Sequence, residues 1–237
     1  MAMKNTKQKR AKQSRPIAVI MLLVCALACL LASSNTFLGI KQKNYEPSSG
    51  GYCNSGSEWQ LVLVNKWNPA PANYQVEFVE LSNGQLVDKR IYPALQDMFD
   101  SARQNGTYPI VVSGYRTKAD QKALLDKKIS QYMASGYTKK DAEAAAKEWV
   151  AKPGESEHQL GIAVDINSDG NRSTGEEVYQ WLEENAWKFG FIRRYPPGKS
   201  SLTGVNSERW HYRYVGEEAA LAIYGNQLCL EEYLDAR

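Results

Sequence analysis

Apolar positions along the 237-residue chain fall into three regimes. Ile17 to Ala32 (IAVIMLLVCALACLLA) is unbroken, with a smaller patch at Phe37 to Ile40 after the polar break Ser33-Ser34-Asn35-Thr36. Residues 41–57 carry Pro, Ser, Gly and Asn without apolar period and read as a linker. From residue 58 onward, short apolar runs interleave with helical spacings, the pattern of one mixed domain.

Within that domain, Leu61 to Asn65 (LVLVN) predicts a strand closed by the Asn68-Pro69-Ala70-Pro71 turn. Leu95, Met98, Phe99 and Ala102 share one face of a helix over 93–104, with Pro93 in its first turn and Asn105-Gly106 as its stop. Tyr108 to Val112 predicts a buried strand. Thr117 with Asp120 opens a helix over about 118–133, and Thr138 with Asp141 opens another that ends before Pro153-Gly154. A strand over 161–166, a helix over about 176–189 stopped by Gly190, and strands over 191–194 and 210–215 complete the set. Helices grouped around short strands predict an α+β fold with a small, mostly antiparallel sheet.

The first segment changes the picture of where this domain works. Lys4, Lys7, Lys9, Arg10, Lys12 and Arg15 precede the apolar run with no acidic residue among them, so the net +3 of the chain hides an acidic body. That body has no electrostatic footprint for nucleic acid. Ile17 to Ala32 spans about 24 Å as a helix, short of the ~30 Å hydrocarbon core, while extension to Ile40 gives a full span. The expected organisation is a cytoplasmic basic segment over 1–16, a signal anchor or a cleaved signal peptide over 17–40, a linker over 41–57 and a folded domain over 58–237. Either fate of the apolar segment puts that domain outside the cytoplasm, held on the membrane or secreted. Of the four cysteines, Cys25 and Cys29 lie in the apolar run. Cys53 and Cys229 flank the domain and could pair in an oxidising compartment or stand as separate thiols.

The chain has two histidines, and each sits among carboxylates. In Ser156-Glu157-His158-Gln159-Leu160-Gly161-Ile162-Ala163-Val164-Asp165, a period of two puts Gly161, Ala163 and Asp165 on one strand face and Ile162, Val164 and Ile166 on the other. Small residues leading to a carboxylate leave room for an ion, which His158 can also reach. In Glu208-Arg209-Trp210-His211-Tyr212, His211 alternates with the aromatics. A His158, Asp165, His211 set leaves one tetrahedral position of Zn²⁺ open, the mark of a catalytic site. Glu208 cannot share the strand face of His211, and from the entering loop it could take the proton of a water on the metal. Arg116, in the Ser113 to Thr117 turn, offers a planar fork to a carboxylate or an oxyanion. Trp210 suits a cleft wall or the core.

The motifs Ser-x-His-x-x-Gly-x-Ala-x-Asp at 156–165 and Glu-x-Trp-His at 208–211, preceded by Ser113-Gly114-Tyr115-Arg116, resemble those of the zinc D-alanyl-D-alanine carboxypeptidases of the VanY type. The likeness runs from about Trp59 to Gly216. It implies a Hedgehog/D,D-peptidase-like fold, one Zn²⁺ on His158, Asp165 and His211, and Glu208 as catalytic base. It also implies Arg116 at the oxyanion or the substrate carboxylate, Ser156 and Gln121 against the peptide, and a peptidoglycan stem peptide as substrate. The alternatives are an L,D-carboxypeptidase on tetrapeptide stems and a non-catalytic metal-binding surface module. Arg209 stands where such sequences often carry Pro. A second pattern overlaps: Asp165, Asn167, Asp169, Gly170 and Glu176 match a Ca²⁺ loop, although the entering element reads as a strand and Asp165 is claimed by the zinc set.

Overall fold

The computed structural model describes residues 58–235. The basic segment, the apolar run, the linker and Cys53 lie outside the described residues. A hairpin of β1 (Phe78–Glu80) and β2 (Leu86–Asp88) precedes α1 (Tyr92–Gln104) and β3 (Pro109–Ser113). Next come α2 (Lys118–Ala134), α3 (Lys139–Lys147), a 3-10 turn over Glu157–Leu160 and β4 (Ala163–Ser168). α4 (Gly175–Asn185) continues into a 3-10 turn, Ala186–Phe189, and then β5 (Phe191–Arg193), α5 (Ser200–Thr203), β6 (His211–Tyr214), α6 (Glu217–Gly225) and α7 (Leu230–Asp235) follow. The main sheet is four-stranded in the order β3-β4-β6-β5, with every pairing antiparallel. The architecture is α+β, as the patterning implied.

Ile162, Val164 and Ile166 point into a core with Val111 and Tyr212, against α1 (Leu95, Met98, Phe99) and α4 (Val178, Leu182). The opposite face carries Asp165, His211 and Arg213. Both helices expected from threonine caps begin there: the Thr117 oxygen accepts from the Asp120 N–H in a full capping box, and the Thr138 oxygen accepts from the Asp141 N–H. α3 closes at Lys147, earlier than the Pro153 boundary predicts.

Leu61 to Asn65 is not a strand. The run is buried as expected, but the carbonyls of Gln60 and Val62 accept from Arg213 Nη2 at 2.8 and 2.9 Å. A buried guanidinium thus satisfies a backbone that the patterning alone would assign to a ladder.

That guanidinium belongs to a cluster of fully buried charges. Glu157 Oε1 accepts from Arg194 Nε at 2.7 Å and from Arg213 Nη1 at 2.8 Å, and Arg194 reaches both oxygens of Glu231 at 2.6 and 2.8 Å. Asn65 Nδ2 donates to Glu231 at 3.0 Å. Two arginines and two glutamates balance, and deleting one partner from such a set costs about 3–5 kcal/mol because the other charge is stranded. The cluster ties the 3-10 turn bearing His158 to β6 and to α7.

Candidate metal centre

Strand register does much of the assembly. Asp165 lies directly opposite His211 on β6 and, across a bulge at Val112, opposite Ser113 on β3. His158 comes from the 3-10 turn, whose exit needs Gly161 at φ +72°. Two loops are stitched to each other here: His158 Nδ1 donates to the Gly114 carbonyl at 2.6 Å, and the Arg116 N–H donates to the His158 carbonyl at 3.2 Å. Gly114 in turn packs so closely on β2 that a Cβ would stand 2.2 Å from the Leu86 oxygen.

With Nδ1 spent on Gly114, His158 Nε2 faces inward. It lies 3.3 Å from His211 Nδ1 and 3.3 Å from Asp165 Oδ1, which is 3.1 Å from His211 Nδ1. Ligands at ~2.0–2.1 Å from a tetrahedral Zn²⁺ are separated by about 3.3 Å, so the three donors have the spacing of one tetrahedral face. Asp165 Oδ1 is buried and receives no directed hydrogen bond, as an oxygen aimed at an ion should be. Among the described residues, this is the cluster of metal-ligating side chains with the geometry to hold an ion.

Charges follow from the crowding. In the metal-free protein, burial pushes the His158 imidazole down to about 4. Burial also opposes charge on His211, but Asp165, Glu157 and Glu208 outweigh it and lift that imidazole to about 9. Asp165 is held well below the carboxylate range: burial would raise it, and the two histidines prevail. Glu208, in the loop entering β6, is raised to about 7 by burial, with Asp165 adding to the rise and His211 and Arg116 opposing it. Its Oε2 lies 3.7 Å from His211 Nδ1, on the donor side of the ring, yet outside the ligand triangle.

Arg116 Nη2 donates to Asp165 Oδ2 at 3.2 Å and Nη1 to Gln121 Oε1 at 2.8 Å, while its buried Nε has no partner. Gln121 donates onward to the Ala151 carbonyl at 2.7 Å, so it braces Arg116 from α2. Ser156 is buried at the cleft floor and half-buried Trp210 lines the same cleft.

Residues 84–217 match the model of the VanY family, D-alanyl-D-alanine carboxypeptidase. The chain belongs to the VanY family. It is 62% identical over 178 residues to a D-alanyl-D-alanine carboxypeptidase of Enterococcus faecalis (strain ATCC 700802 / V583), with 75% of this chain and 66% of the relative covered. The chain therefore spans about two thirds of that relative's length. A VanY D,D-pentapeptidase variant from a VanB-type vancomycin resistance cassette, solved with Zn(II), is 63% identical with a TM-score of 0.74, over 75% of this chain and 99% of that one. VanYB in complex with D-alanine-D-alanine is 61% identical with a TM-score of 0.75, over 76% and 99%. The donor set of this chain, two imidazoles and a carboxylate at mutual spacings of 3.1–3.3 Å, fits the same metal.

The Ca²⁺ pattern has other employment. Asp169 accepts from the Asn171 and Arg172 N–H groups at 3.1 and 2.9 Å and pairs with Arg172 Nε at 2.7 Å. Glu176 pairs with Arg209 Nη1 at 2.7 Å. Arg209 also reaches Glu183 at 2.9 Å, and Glu183 holds Arg193, whose Nε donates to the Glu208 carbonyl at 3.1 Å. The arginine that replaces Pro thus fastens the loop bearing Glu208 to α4. Glu157 is the residue that sequence reasoning passed over: its Oε2 stands 3.6 Å from His211 Nε2, behind the ligand. Arg194, directly after β5, and Arg213, within β6, sit among residues that pack inward, and they were the available sign that a buried carboxylate would be needed.

Proposed function

We propose that this protein is a zinc D-alanyl-D-alanine carboxypeptidase that removes the terminal D-alanine from peptidoglycan stem peptides, with the residue roles that follow. The observation that carries the reading is Glu208: a buried carboxylate beside three zinc donors but outside their triangle is what hydrolysis requires and what a metal-binding module has no use for.

His158 Nε2, Asp165 Oδ1 and His211 Nδ1 hold the ion. Bound there, zinc supplies Lewis-acid polarisation of a carbonyl and lowers the pKa of water. Glu208 takes a proton from the attacking water as its oxygen adds to the scissile carbonyl. It delivers that proton to the amide nitrogen as the C–N bond breaks, so D-alanine leaves with a neutral amine, while the other proton of the water stays on the new carboxyl group and is then lost to solvent or to that amine. An affinity for protons near neutrality suits both halves of that task. Arg116 donates to the carbonyl oxygen as it gains charge, held in aim by Asp165 and Gln121. Gln121, Ser156 and Trp210 bound the peptide.

The domain acts outside the cytoplasm in this proposal, with residues 17–40 as membrane anchor or cleaved signal and 41–57 as tether; the basic flank and the apolar run support it. Among the described residues no helix is long and apolar enough to cross a membrane. A link between Cys53 and Cys229 is part of the same proposal, and thiol counting with and without reductant tests it.

Competition between pentapeptide and tetrapeptide stems tests the substrate. The expected product is the tetrapeptide, with D-alanine released from the pentapeptide. Preferred cleavage of the tetrapeptide would transfer the assignment to L,D-carboxypeptidase.

A further inference from the structure

The cleft does not end at the metal centre. It continues as an arm along one stripe of α2, where Gln121, Leu124, Lys128 and Tyr132 follow one another at helical spacing, with Trp149 facing them from the segment after α3. The whole cleft has a volume of about 550 Å³. Its two lining carboxylates among the described residues, Asp165 and Glu208, are both at the metal end. The far end is basic and aromatic: Lys128 Nζ lies 5.5 Å from the Tyr132 ring centroid and 5.9 Å from that of Trp149, and Lys127 stands beside it. Neither lysine has an ion-pair partner among the described residues, whereas Lys122 on the same helix pairs with Asp126 at 2.5 Å.

The reaction fixes what this arm must hold. A carboxypeptidase of the kind proposed above releases one residue, so the leaving side of its substrate is one residue long. An arm two helical turns in length can only take the chain on the other side of the scissile bond. From Gln121 to Lys128 is seven residues, about 10.5 Å of helix, and an extended peptide covers that in about three residues. Two lysines with no carboxylate of their own, Lys128 over the Tyr132 and Trp149 rings and Lys127 beside it, form a subsite for an anion on a partly apolar chain.

We infer that Lys127 and Lys128 bind a free carboxylate carried by the stem peptide on the third residue before the bond that is cut, and so set which stems the enzyme prefers. The inference rests on the carboxypeptidase reading and adds a specificity subsite to it.

Two pentapeptide stems that differ only in a free carboxylate or its carboxamide at that residue test it on zinc-loaded full-length protein. At low salt KM is expected to be roughly five- to tenfold lower for the carboxylate, with kcat unchanged and the gap narrowing as salt rises. The double variant K127Q/K128Q is expected to close the gap. Equal KM values in the parent, or a gap that survives in the double variant, would overturn the inference. Calorimetry of the same two peptides on Glu208→Gln protein repeats the comparison without turnover. A short acylated D-alanyl-D-alanine with no distal carboxylate reports on the proposed activity alone. If the parent leaves it intact the reaction assignment fails, and the calorimetric ratio still decides the subsite.

Discussion

His158 Nδ1 donates to the Gly114 carbonyl at 2.6 Å, and this bond decides which imidazole nitrogen is left for the metal. Gly114 is held by its own close approach to Leu86, so the tautomer of a ligand depends on the absence of a side chain two elements away. Gly114→Ala is expected to push the Ser113 to Thr117 loop off β2 and weaken zinc binding by roughly 10- to 100-fold, the usual cost of losing a ligand's outer partner. Zinc titration against a competing chelator measures it; parental affinity would show that another group orients His158.

Glu208→Gln keeps the shape of the side chain and removes its basicity. Turnover is expected to fall by ~10² to 10⁴-fold, while zinc content and thermal midpoint stay near the parent's. Steady-state rates beside metal analysis make the check. Activity within a few-fold of the parent would place the base elsewhere.

Arg116→Lys preserves charge and discards the fork that spans Asp165 and Gln121. The expected result is a fall in kcat of roughly 10²-fold with KM little changed, since the donor serves the oxygen that becomes charged. A rise in KM at constant kcat would reassign Arg116 to the substrate carboxylate.

Much of this centre was legible from period two and from chemistry. Alternation on Ile162, Val164 and Ile166 assigned the core face of β4, and with it the face of Asp165; alternation with Tyr212 did the same for His211, whereas Trp210, ahead of β6, lines the cleft beside it. Register then set Asp165 opposite His211, a relation that no spacing along the chain contains. The strand expected at Leu61 to Asn65 failed because the Val62 carbonyl is taken by Arg213, a side chain 151 residues away, and Asn65 bonds to Asn68 in a turn. β1 and β2, three residues each, carry too short a period to be read, and Phe78 is 39% exposed. α7 was missed since Cys229 to Leu234 mixes apolar residues with two glutamates, and Glu231 is buried where Arg194 meets it.

Proton linkage gives a prediction that needs no substrate. The metal-free protein at pH 7 holds a proton on His211, raised to about 9, and part of one on Glu208, raised to about 7, while His158, lowered to about 4, is already neutral. Zinc requires the imidazoles unprotonated, so its uptake should release about one proton at pH 7, up to about one and a half if Glu208 also gives up its share, and progressively fewer as pH climbs past 9. Calorimetry in buffers of different ionisation enthalpy counts them. No release at pH 7, or release that grows with pH, would contradict the charge states described.

The account stands most directly on one assay: D-alanine released from a pentapeptide stem by protein stripped with chelator and then given zinc in measured steps. It predicts no release from the stripped protein and a rate that climbs to a plateau at one zinc per chain, with a single D-alanine lost from each stem. Release that is indifferent to chelator, or a fully loaded protein that leaves the stem intact, would contradict it.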